Sequence, residues 1–243
     1  MKNWKELYNS KLMTADEAVK LIKSGDKVVL QHDVGEPEEL VRAMVRNAEN
    51  YKHVEISHMY SLGPGDYCKT EYKDNFHPNM WFLSGQTRKA CNEWGDYTSF
   101  FFHELPELMR NGRVVVDVAL IMVSKPDKHG YISTGVSGDY TIQAIKSAKT
   151  VIAQVNENMP FTYGDAVFPL MEYADAIVEC DEELPALPAG KIGDVEEEIG
   201  KYCASLIQDG ATLQLGIGSI PDAVCEQLKT KKHLGLHSEM LGD

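Results

Sequence analysis

The stretch TADEAVKLIKSGDKVVLQHDVGEPEELVRAMV, residues 14–45, determines the class of fold, because it places a helix, a strand and a second helix in succession. Thr14 and Glu17 have the spacing of a capping box, which predicts a helix over the apolar positions that follow. The apolar run KVVLQH, Lys27 to His32, predicts a short buried strand, and Pro37 precedes the second predicted helix. This is a βα unit with polar residues at the carboxyl end of its strand.

The same pattern recurs along the chain, with apolar, β-rich runs separated by helical or glycine-rich stretches. These runs are HVEISHMY (53–60), VVVDVALIMV (114–123), TVIAQVN (150–156) and DAIVEC (175–180). Continuous apolar strands that alternate with helices predict an α/β fold, with a mostly parallel open sheet and helices on both faces. Ligands of such sheets bind beyond the carboxyl ends of the strands. The predicted strand ends carry mostly polar residues: His32, Ser57, His58, Met59, Ser124 and Asn156 to Asn158.

The last quarter of the chain has a different organisation. Residues 182–193 contain prolines and glycines and predict a linker or a crossing segment. After one further helix, TLQLGIGSIPDAVCEQL (212–228) predicts a strand, a glycine turn and a helix, and GLHSEMLGD (235–243) follows with a second strand. We therefore expect an N-terminal α/β domain over 1–190, and a segment over 191–243 with a linker helix and a strand–turn–helix–strand unit.

Composition excludes several classes of function. The formal net charge of −13 argues against a general nucleic-acid-binding surface, because neutralising phosphates requires clustered Lys and Arg. The five cysteines are scattered and form no CxxC pair, and no run approaches the roughly 18 apolar residues of a membrane span. The eight histidines show no HExxH pair or His/Cys ligand spacing. We expect a cytoplasmic protein with free thiols, no metal and no membrane partner.

The stretch LGIGSIPDAV, 215–224, is the strongest local motif. Gly216 and Gly218 allow a ligand to approach the backbone closely, and amides at the start of the following helix would bind an anion or an oxyanion. A plain structural turn is the alternative interpretation. As a dinucleotide fingerprint the motif fails, because Pro221 stands where GxGxxG has its third glycine.

Glu239 is the candidate nucleophile. The predicted strand–turn–helix–strand order would bring Glu239 back near the glycine turn, where a carboxylate beside amide donors suits covalent acyl chemistry. A solvated loop glutamate is the alternative. Ser238 is disfavoured as a serine-hydrolase nucleophile, because the glycines of a nucleophile elbow are absent around it.

Six ordered stretches, distributed over the whole chain, resemble the acetyl-CoA hydrolase/transferase family. They are ADEAVKLIKSGDKVVL, QHDVGEP, KHGYISTGVSGDYT, VNENMP, LGIGSIPDAV and GLHSEM. Within that family the chain is most similar to the 4-hydroxybutyrate CoA-transferases. The resemblance implies a CoA-transferase-like domain of the NagB/RpiA type. It also implies an enzyme without a permanently bound cofactor, for which coenzyme A is a substrate, and acyl-CoA and short carboxylates are partners.

The resemblance also implies residue roles. Glu239 would attack the thioester and carry CoA as a glutamyl thioester in a ping-pong exchange with acetyl-CoA, and His32 corresponds to a family active-site histidine. The segment that binds CoA and stabilises the oxyanion would be Gly216, Ile217, Gly218, Ser219 and Ile220. The acyl pocket would be lined by Ser57, His58, Met59, Ser238 and Met240.

The length of the chain is the one departure from the family pattern. Family members continue into a second α/β half that supplies further CoA contacts, so we expect a C-terminal half or a second subunit as partner, and a homodimer or a higher oligomer. Two alternatives to the transferase remain open. One is an acyl-CoA hydrolase, in which water opens the same glutamyl thioester, and the other is an inactive scaffold fragment.

Overall fold

The computed structural model describes residues 4–186 and 190–240. The chain divides into two compact units, Met1–Pro185 and Ala186–Asp243. The described residues of the first unit contain a seven-stranded sheet, a two-stranded sheet and two buried apolar clusters, and those of the second contain a two-stranded sheet and one such cluster.

The first unit alternates strands and helices over its described residues, 4–185. The strands are β1 (Lys27–Leu30), β2 (Val54–Ser57), β3 (Phe76–Met80), β4 (Asp96–Tyr97), β5 (Val118–Val123), β6 (Tyr131–Ser133), β7 (Thr150–Val155), β8 (Val167–Pro169) and β9 (Ala176–Glu179). The helices are α1 (Trp4–Lys11), α2 (Ala15–Ala18), α3 (Glu38–Arg46), α4 (Arg88–Glu93), α5 (Leu105–Arg110), α6 (Tyr140–Ser147) and α7 (Leu170–Tyr173).

Seven strands of this unit form one parallel sheet in the order β4-β3-β2-β1-β5-β7-β9. This confirms the predicted α/β fold. The chain first builds the sheet outward from β1 to β4, and then from β5 to β9 on the other side of β1. The direction of winding therefore changes between β1 and β5, and in open α/β sheets a crevice forms beyond the carboxyl ends at such a point. A separate antiparallel pair consists of β6 and β8.

Alternate side chains of the central strands enter two different apolar clusters. Val28 and Leu30 belong to the cluster that contains the buried residues of α2 and α3. Val29 belongs to the cluster that contains those of α5 and α6, as do Ala119 and Ile121 of β5. Because successive side chains of a strand point to opposite faces, helices cover both faces of the sheet. This explains why the strands read as continuous apolar runs.

The capping box that starts the first predicted helix is present: Thr14 Oγ1 accepts from the Glu17 amide, and Glu17 Oε2 accepts from the Thr14 amide. The helix itself is shorter than predicted, since α2 ends at Ala18 and continues as one 3₁₀ turn. The strand predicted from residue 114 begins only at Val118. Its neighbour Asp117 bonds to Lys27 twice: the Asp117 amide donates to Lys27 O at 2.9 Å, and a carboxylate oxygen of Asp117 accepts from the Lys27 amide at 2.9 Å.

The second unit contains α8 (Asp194–Leu206), β10 (Thr212–Leu213), α9 (Ser219–Gln227) and β11 (Gly235–Leu236). The two strands are parallel and α9 connects them, so this is a small βαβ unit. The two helices approach closely at Gly200, where an added Cβ would lie 2.5 Å from Ala223 O. Ala204, Val224 and Leu228 form the buried cluster between them. In the predicted linker, the described residues contain no helix or strand, and 187–189 lie outside the described part of the chain.

Candidate active site

His32 follows β1 and is paired with Asp139 at the start of α6. The Nε2 atom of His32 lies 2.7 Å from Oδ2 of Asp139. The same carboxylate accepts from the Ser137 hydroxyl at 2.7 Å, and from the amide and hydroxyl of Thr141 at 3.0 Å each. Burial by itself would raise the pKa of Asp139, but the contacts with His32, Ser137 and Thr141 outweigh it and lower the pKa to about 2. Asp139 is therefore an ionised carboxylate at the carboxyl edge of the sheet.

The ring of His32 is also packed against aromatic side chains. Its centroid lies 5.1 Å from that of Tyr140 and 6.0 Å from that of Phe102. The Tyr140 hydroxyl donates to Leu30 O at 2.7 Å and accepts from the Met59 amide at 3.4 Å. Burial raises the pKa of Tyr140 well above its ordinary value. Tyr140 thus links the end of β1, the loop after β2 and the ring of His32.

The other predicted acyl-pocket residues of this unit lie at the end of β2. Ser57 and His58 are buried, and Met59 is half-buried. His58 Nε2 lies 2.5 Å from the Tyr67 hydroxyl. Desolvation lowers the pKa of His58 to about 3, so the ring is a neutral, buried imidazole. In this arrangement His58 is bonded through Tyr67 to the loop that follows β2. A contact between His58 and an acyl group remains a prediction.

Glu36 joins the loops that follow β1 and β2. The Glu36 Oε2 atom accepts from the Ser61 hydroxyl at 2.7 Å and from the Gly63 amide at 3.2 Å. Desolvation raises the pKa of this carboxyl to about 7. The same two loops are joined by the Asp33 amide, which donates to Tyr60 O at 2.8 Å, and Asp33 has a left-handed backbone with φ of 55°.

Buried polar atoms without a hydrogen-bond partner are concentrated at this edge. Within residues 4–186 and 190–240 they are His32 Nδ1, Glu36 Oε1, His58 Nδ1 and Thr134 Oγ1. All four belong to segments that follow a strand or precede α6. Since buried polar groups are almost always paired, such a concentration distinguishes this edge from the rest of the first unit.

In the second unit, the glycine turn lies between β10 and α9. The turn residues Gly216, Ile217 and Gly218 are exposed, and α9 begins at Ser219 and Ile220. Gly218 has φ of 112°, a conformation that residues with a side chain rarely adopt. In the first turn of α9 the amides of Ser219 and Ile220 have no intrahelical acceptor, so they are available to bind an anion, whereas Pro221 has no amide hydrogen and the Asp222 amide donates to Gly218 O.

The segment that contains Glu239 lies beside this turn. The Ser238 hydroxyl donates to Leu215 O at 2.6 Å, and the His237 amide donates to Leu213 O at 2.8 Å. The parallel pairing of β10 and β11 therefore brings Ser238 next to the residue that precedes Gly216. Glu239 and Met240 are exposed, and residues 241–243 lie outside the described part of the chain.

Sequence reasoning assigned no role to several of these residues. Asp139, Tyr140, Ser137 and Glu36 occur within the stretches that carry the family resemblance, and Tyr67 does not. An aspartate directly before a helix is a helix-start signal, which could have identified Asp139 as an N-cap. Its contact with His32, 107 positions away in the sequence, has no local signal.

Other expectations bear on cofactors and membranes. In the part of the chain that the structure describes, no group of three or more His, Cys, Asp or Glu side chains is arranged to hold a metal ion. None of the described helices combines the length and the apolar character needed to cross a bilayer. All five cysteines are free thiols.

Comparison with known proteins identifies the family. The family model of the acetyl-CoA hydrolase/transferase N-terminal domain matches residues 1–188. The chain belongs to the acetyl-CoA hydrolase/transferase family. The family resemblance that the sequence motifs indicated is thereby confirmed.

Proteins named as CoA transferases match nearly the whole chain. A 4-hydroxybutyrate coenzyme A transferase of Clostridium kluyveri is 53% identical over 241 residues, which are 99% of this chain and 56% of that protein. A succinyl-CoA:cyclohexane-1-carboxylate CoA transferase of Geobacter metallireducens is 40% identical over 243 residues, 100% of this chain and 55% of that protein. The chain thus spans about half the length of these curated relatives.

Two solved structures are also similar to nearly the whole chain. The crystal structure of a 4-hydroxybutyrate CoA-transferase from Porphyromonas gingivalis has a TM-score of 0.87 at 40% identity, over 99% of this chain and 57% of that one. RipA from Yersinia pestis has a TM-score of 0.94 at 30% identity, over 99% of this chain and 58% of that one.

Proposed function

We propose that this chain is the N-terminal half of a CoA-transferase that moves CoA between acetyl-CoA and a short carboxylic acid, with 4-hydroxybutyrate favoured. The observation that carries the proposal is the Ser238–Leu215 hydrogen bond of 2.6 Å, which holds the segment of Glu239 beside the glycine turn. A carboxylate next to helix-terminal amides suits acyl transfer. The names of the relatives support the same reaction class, and that of the Clostridium kluyveri protein supports the favoured acid.

The proposed reaction has two half-reactions. The Glu239 carboxylate attacks the thioester carbonyl, the C–S bond breaks, and a mixed anhydride and the CoA thiolate result. The thiolate then attacks the glutamyl carbonyl, which forms the glutamyl-CoA thioester and releases the first carboxylate. An incoming carboxylate reverses these steps and leaves as the new acyl-CoA, so neither a reductant nor an oxidant is required.

Electrostatic stabilisation comes, in this proposal, from the amides of the segment 216–220. Each tetrahedral intermediate carries an oxyanion, and removal of one amide-type donor costs about a hundredfold or more in rate at comparable sites. A carboxylate is a weak nucleophile toward a thioester, so the remaining acceleration depends on placement and on binding energy from the CoA body.

The residues of the first unit would select the acyl group. We assign this role to His32, Ser57, His58 and Met59, and we assign Ser238 and Met240 to the surroundings of the nucleophile. A C-terminal half or a second subunit would add further CoA contacts, in a cytoplasmic homodimer or higher oligomer without a permanently bound cofactor. Residues 1–190 and 191–243 would then serve as an acyl-selecting domain and a nucleophile-carrying segment.

The proposal is tested on the protein that contains this chain together with its C-terminal half or partner subunit. The protein is incubated with acyl-CoA, treated with hydroxylamine, and mapped by peptide mass spectrometry. We expect the modification at Glu239 and its loss in Glu239→Gln. Glu226→Gln, an exposed glutamate on α9 that pairs with Lys229, is the matched control and retains labelling. Labelling at any other residue contradicts the site assignment.

Release of free CoA separates transferase from hydrolase. A transferase requires a carboxylate acceptor. CoA should therefore be transferred rapidly to acetate or 4-hydroxybutyrate, and free CoA should be released only slowly when no acceptor is present. The alternative, a hydrolase, releases CoA at the same rate in both cases. A protein that forms no glutamyl thioester with any acyl-CoA would instead support the inactive scaffold.

A further inference from the structure

We propose that Asp139 is a positioning residue that fixes the tautomer and the orientation of the His32 ring. The expected effect of Asp139 on the reaction rate rests on the proposed function. The structural part depends on the 2.7 Å contact between His32 Nε2 and Asp139 Oδ2.

The hydrogen bonds determine which nitrogen of His32 carries a proton. Asp139 receives four donors, which are Ser137 Oγ, the amide and hydroxyl of Thr141, and His32 Nε2. An ionised carboxylate is only an acceptor, so the proton of this contact belongs to Nε2. The other nitrogen, Nδ1, is buried and has no acceptor within hydrogen-bond distance. A proton on Nδ1 would therefore be an unsatisfied buried donor, which disfavours that tautomer.

Capping of α6 does not account for this arrangement. The helix cap uses Oδ1 of Asp139, which accepts from the Thr141 amide, and Asn or Ser would cap a helix about as well. The second oxygen, Oδ2, is committed to His32 and Ser137 instead. The carboxylate of Asp139 therefore makes contacts with His32 and Ser137 that helix capping alone does not require.

The residue after Asp139 completes the restraint on the ring. Tyr140 packs on the His32 ring at 5.1 Å with an interplanar angle of 32°, and Phe102 meets it at 68°. Tyr140 is itself held by its hydrogen bond to Leu30 O, in the same segment as His32. The start of α6 therefore contacts one edge of the imidazole through Asp139 and one side of it through Tyr140.

The consequence for the reaction follows from placement. If His32 contacts the acyl group, loss of the Asp139 contact allows the ring to rotate or to change tautomer without removing it. Misplacement of about 1 Å at a catalytic site can cost a hundredfold in rate. We therefore expect the acyl-transfer rate to fall while CoA binding is retained.

Asp139→Asn is the informative variant, because asparagine keeps the helix cap and changes the group that faces His32 and Ser137 from an acceptor to a donor. The amide oxygen can still accept from the Thr141 amide, which turns the NH₂ group toward His32 Nε2. Two donors cannot bond to each other, so the proton should leave Nε2 for Nδ1. Asp127→Asn is the matched control, since Asp127 is a partly exposed loop aspartate that accepts from the amides of His129 and Tyr131.

The experiment combines two readouts on the whole protein. Long-range ¹H–¹⁵N NMR of the histidine rings, with the His32 signal assigned by its loss in His32→Gln, reports the tautomer. We expect the Nε2–H form in the wild type and in Asp127→Asn, and its loss in Asp139→Asn. Steady-state kinetics should show kcat lowered about tenfold to a hundredfold in Asp139→Asn, with KM for CoA thioester nearly unchanged.

Two outcomes would overturn the proposal. One is a His32 ring that keeps the Nε2–H form in Asp139→Asn, and the other is a kcat that equals that of Asp127→Asn. Failure of the proposed function is distinguishable, because a wild type without CoA transfer leaves the tautomer measurement intact. In that case the NMR comparison alone decides whether Asp139 orients His32.

Discussion

Ser238 and Leu215, which are 23 positions apart, are joined by a hydrogen bond of 2.6 Å from the serine hydroxyl to the leucine carbonyl. The bond connects the residue before Glu239 to the residue before Gly216. It therefore determines where the candidate nucleophile leaves β11 relative to the glycine turn.

Ser238→Ala removes this restraint without altering Glu239. A neutral hydrogen bond contributes about 1 kcal/mol to stability, so the loss of folding free energy should be small. The rate of glutamyl thioester formation should fall by about tenfold or more, because Glu239 would be less well placed. Single-turnover kinetics with acyl-CoA checks this. Ser205→Ala, which removes the Ser205 hydroxyl bond to Tyr202 O within α8, is the control and should leave the rate unchanged.

Gly218→Ala should impair both folding and acyl transfer. The φ of 112° at this position is strained for alanine, at a cost of about 1–3 kcal/mol. Relaxation of that strain would move the amides of the turn. Gly210→Ala is the matched control, because Gly210 also has a positive φ, of 79°, and at both glycines an added Cβ would have no neighbouring atom within 4 Å. We expect similar losses of stability by denaturant titration, but a loss of CoA transfer only in Gly218→Ala. Equal loss of activity in both variants would show that the glycine turn at Gly218 has no specific role in CoA transfer.

Glu36 should make stability depend on pH between about 4.5 and about 7. The pKa of this carboxyl is about 7 in the folded protein, against an ordinary value of 4.5. Below 4.5 it is protonated in both folded and unfolded chains. As the pH rises toward 7, only the unfolded chain ionises, so the free energy of unfolding falls, by roughly 3 kcal/mol in total.

Glu36→Gln should remove this falling contribution, so that the free energy of unfolding at pH 7 relative to pH 4.5 is higher than in the wild type, because glutamine keeps an acceptor for Ser61 and Gly63 but does not titrate. Urea titrations at several pH values measure it, with Glu49→Gln, an exposed glutamate, as control. Asp139 does not interfere, since its lowered pKa affects stability only below its ordinary value of 3.8. His58, whose pKa is lowered from 6.5 to about 3, adds a rising contribution, but that contribution is common to the wild type and both variants. An unchanged slope in Glu36→Gln would show that Glu36 titrates normally.

Tyr67→Phe should destabilise the first unit. It leaves Nε2 of the buried His58 without its 2.5 Å partner, which costs about 1–3 kcal/mol. Tyr72→Phe, in the same apolar cluster but only partly buried, should cost less. Denaturant unfolding of both variants makes the comparison. Equal stabilities would mean that the His58–Tyr67 contact contributes nothing to the loop after β2.

The sequence predicted the elements whose signals are local. The Thr14–Glu17 capping box, the apolar run after Lys27 and the glycines at 216 and 218 each act through neighbouring residues, and the structure contains them in the predicted places. Boundaries were less well predicted. The strand expected from residue 114 starts at Val118, and the Lys27 amide beside its start is bonded by the Asp117 side chain rather than by a backbone carbonyl.

Contacts between distant residues had no such signal. His32 and Asp139 meet because β5 lies beside β1, which brings the segment before α6 to the end of β1. Glu36 is buried because the loop after β2 folds over it. In both cases the pairing depends on strand order, and the spacing of residues along the chain carries no information about it.

The sequence by itself therefore determined an α/β chain of the acetyl-CoA hydrolase/transferase family, its glycine turn and its candidate nucleophile. Only the tertiary structure decided that Asp139 holds His32, that His58 is a buried neutral ring and that Ser238 bonds to Leu215. The physical reason is the distance along the chain over which each interaction acts. Helix caps, turns and strand periodicity act over a few residues, whereas desolvation and long-range hydrogen bonds exist only after the sheet has assembled.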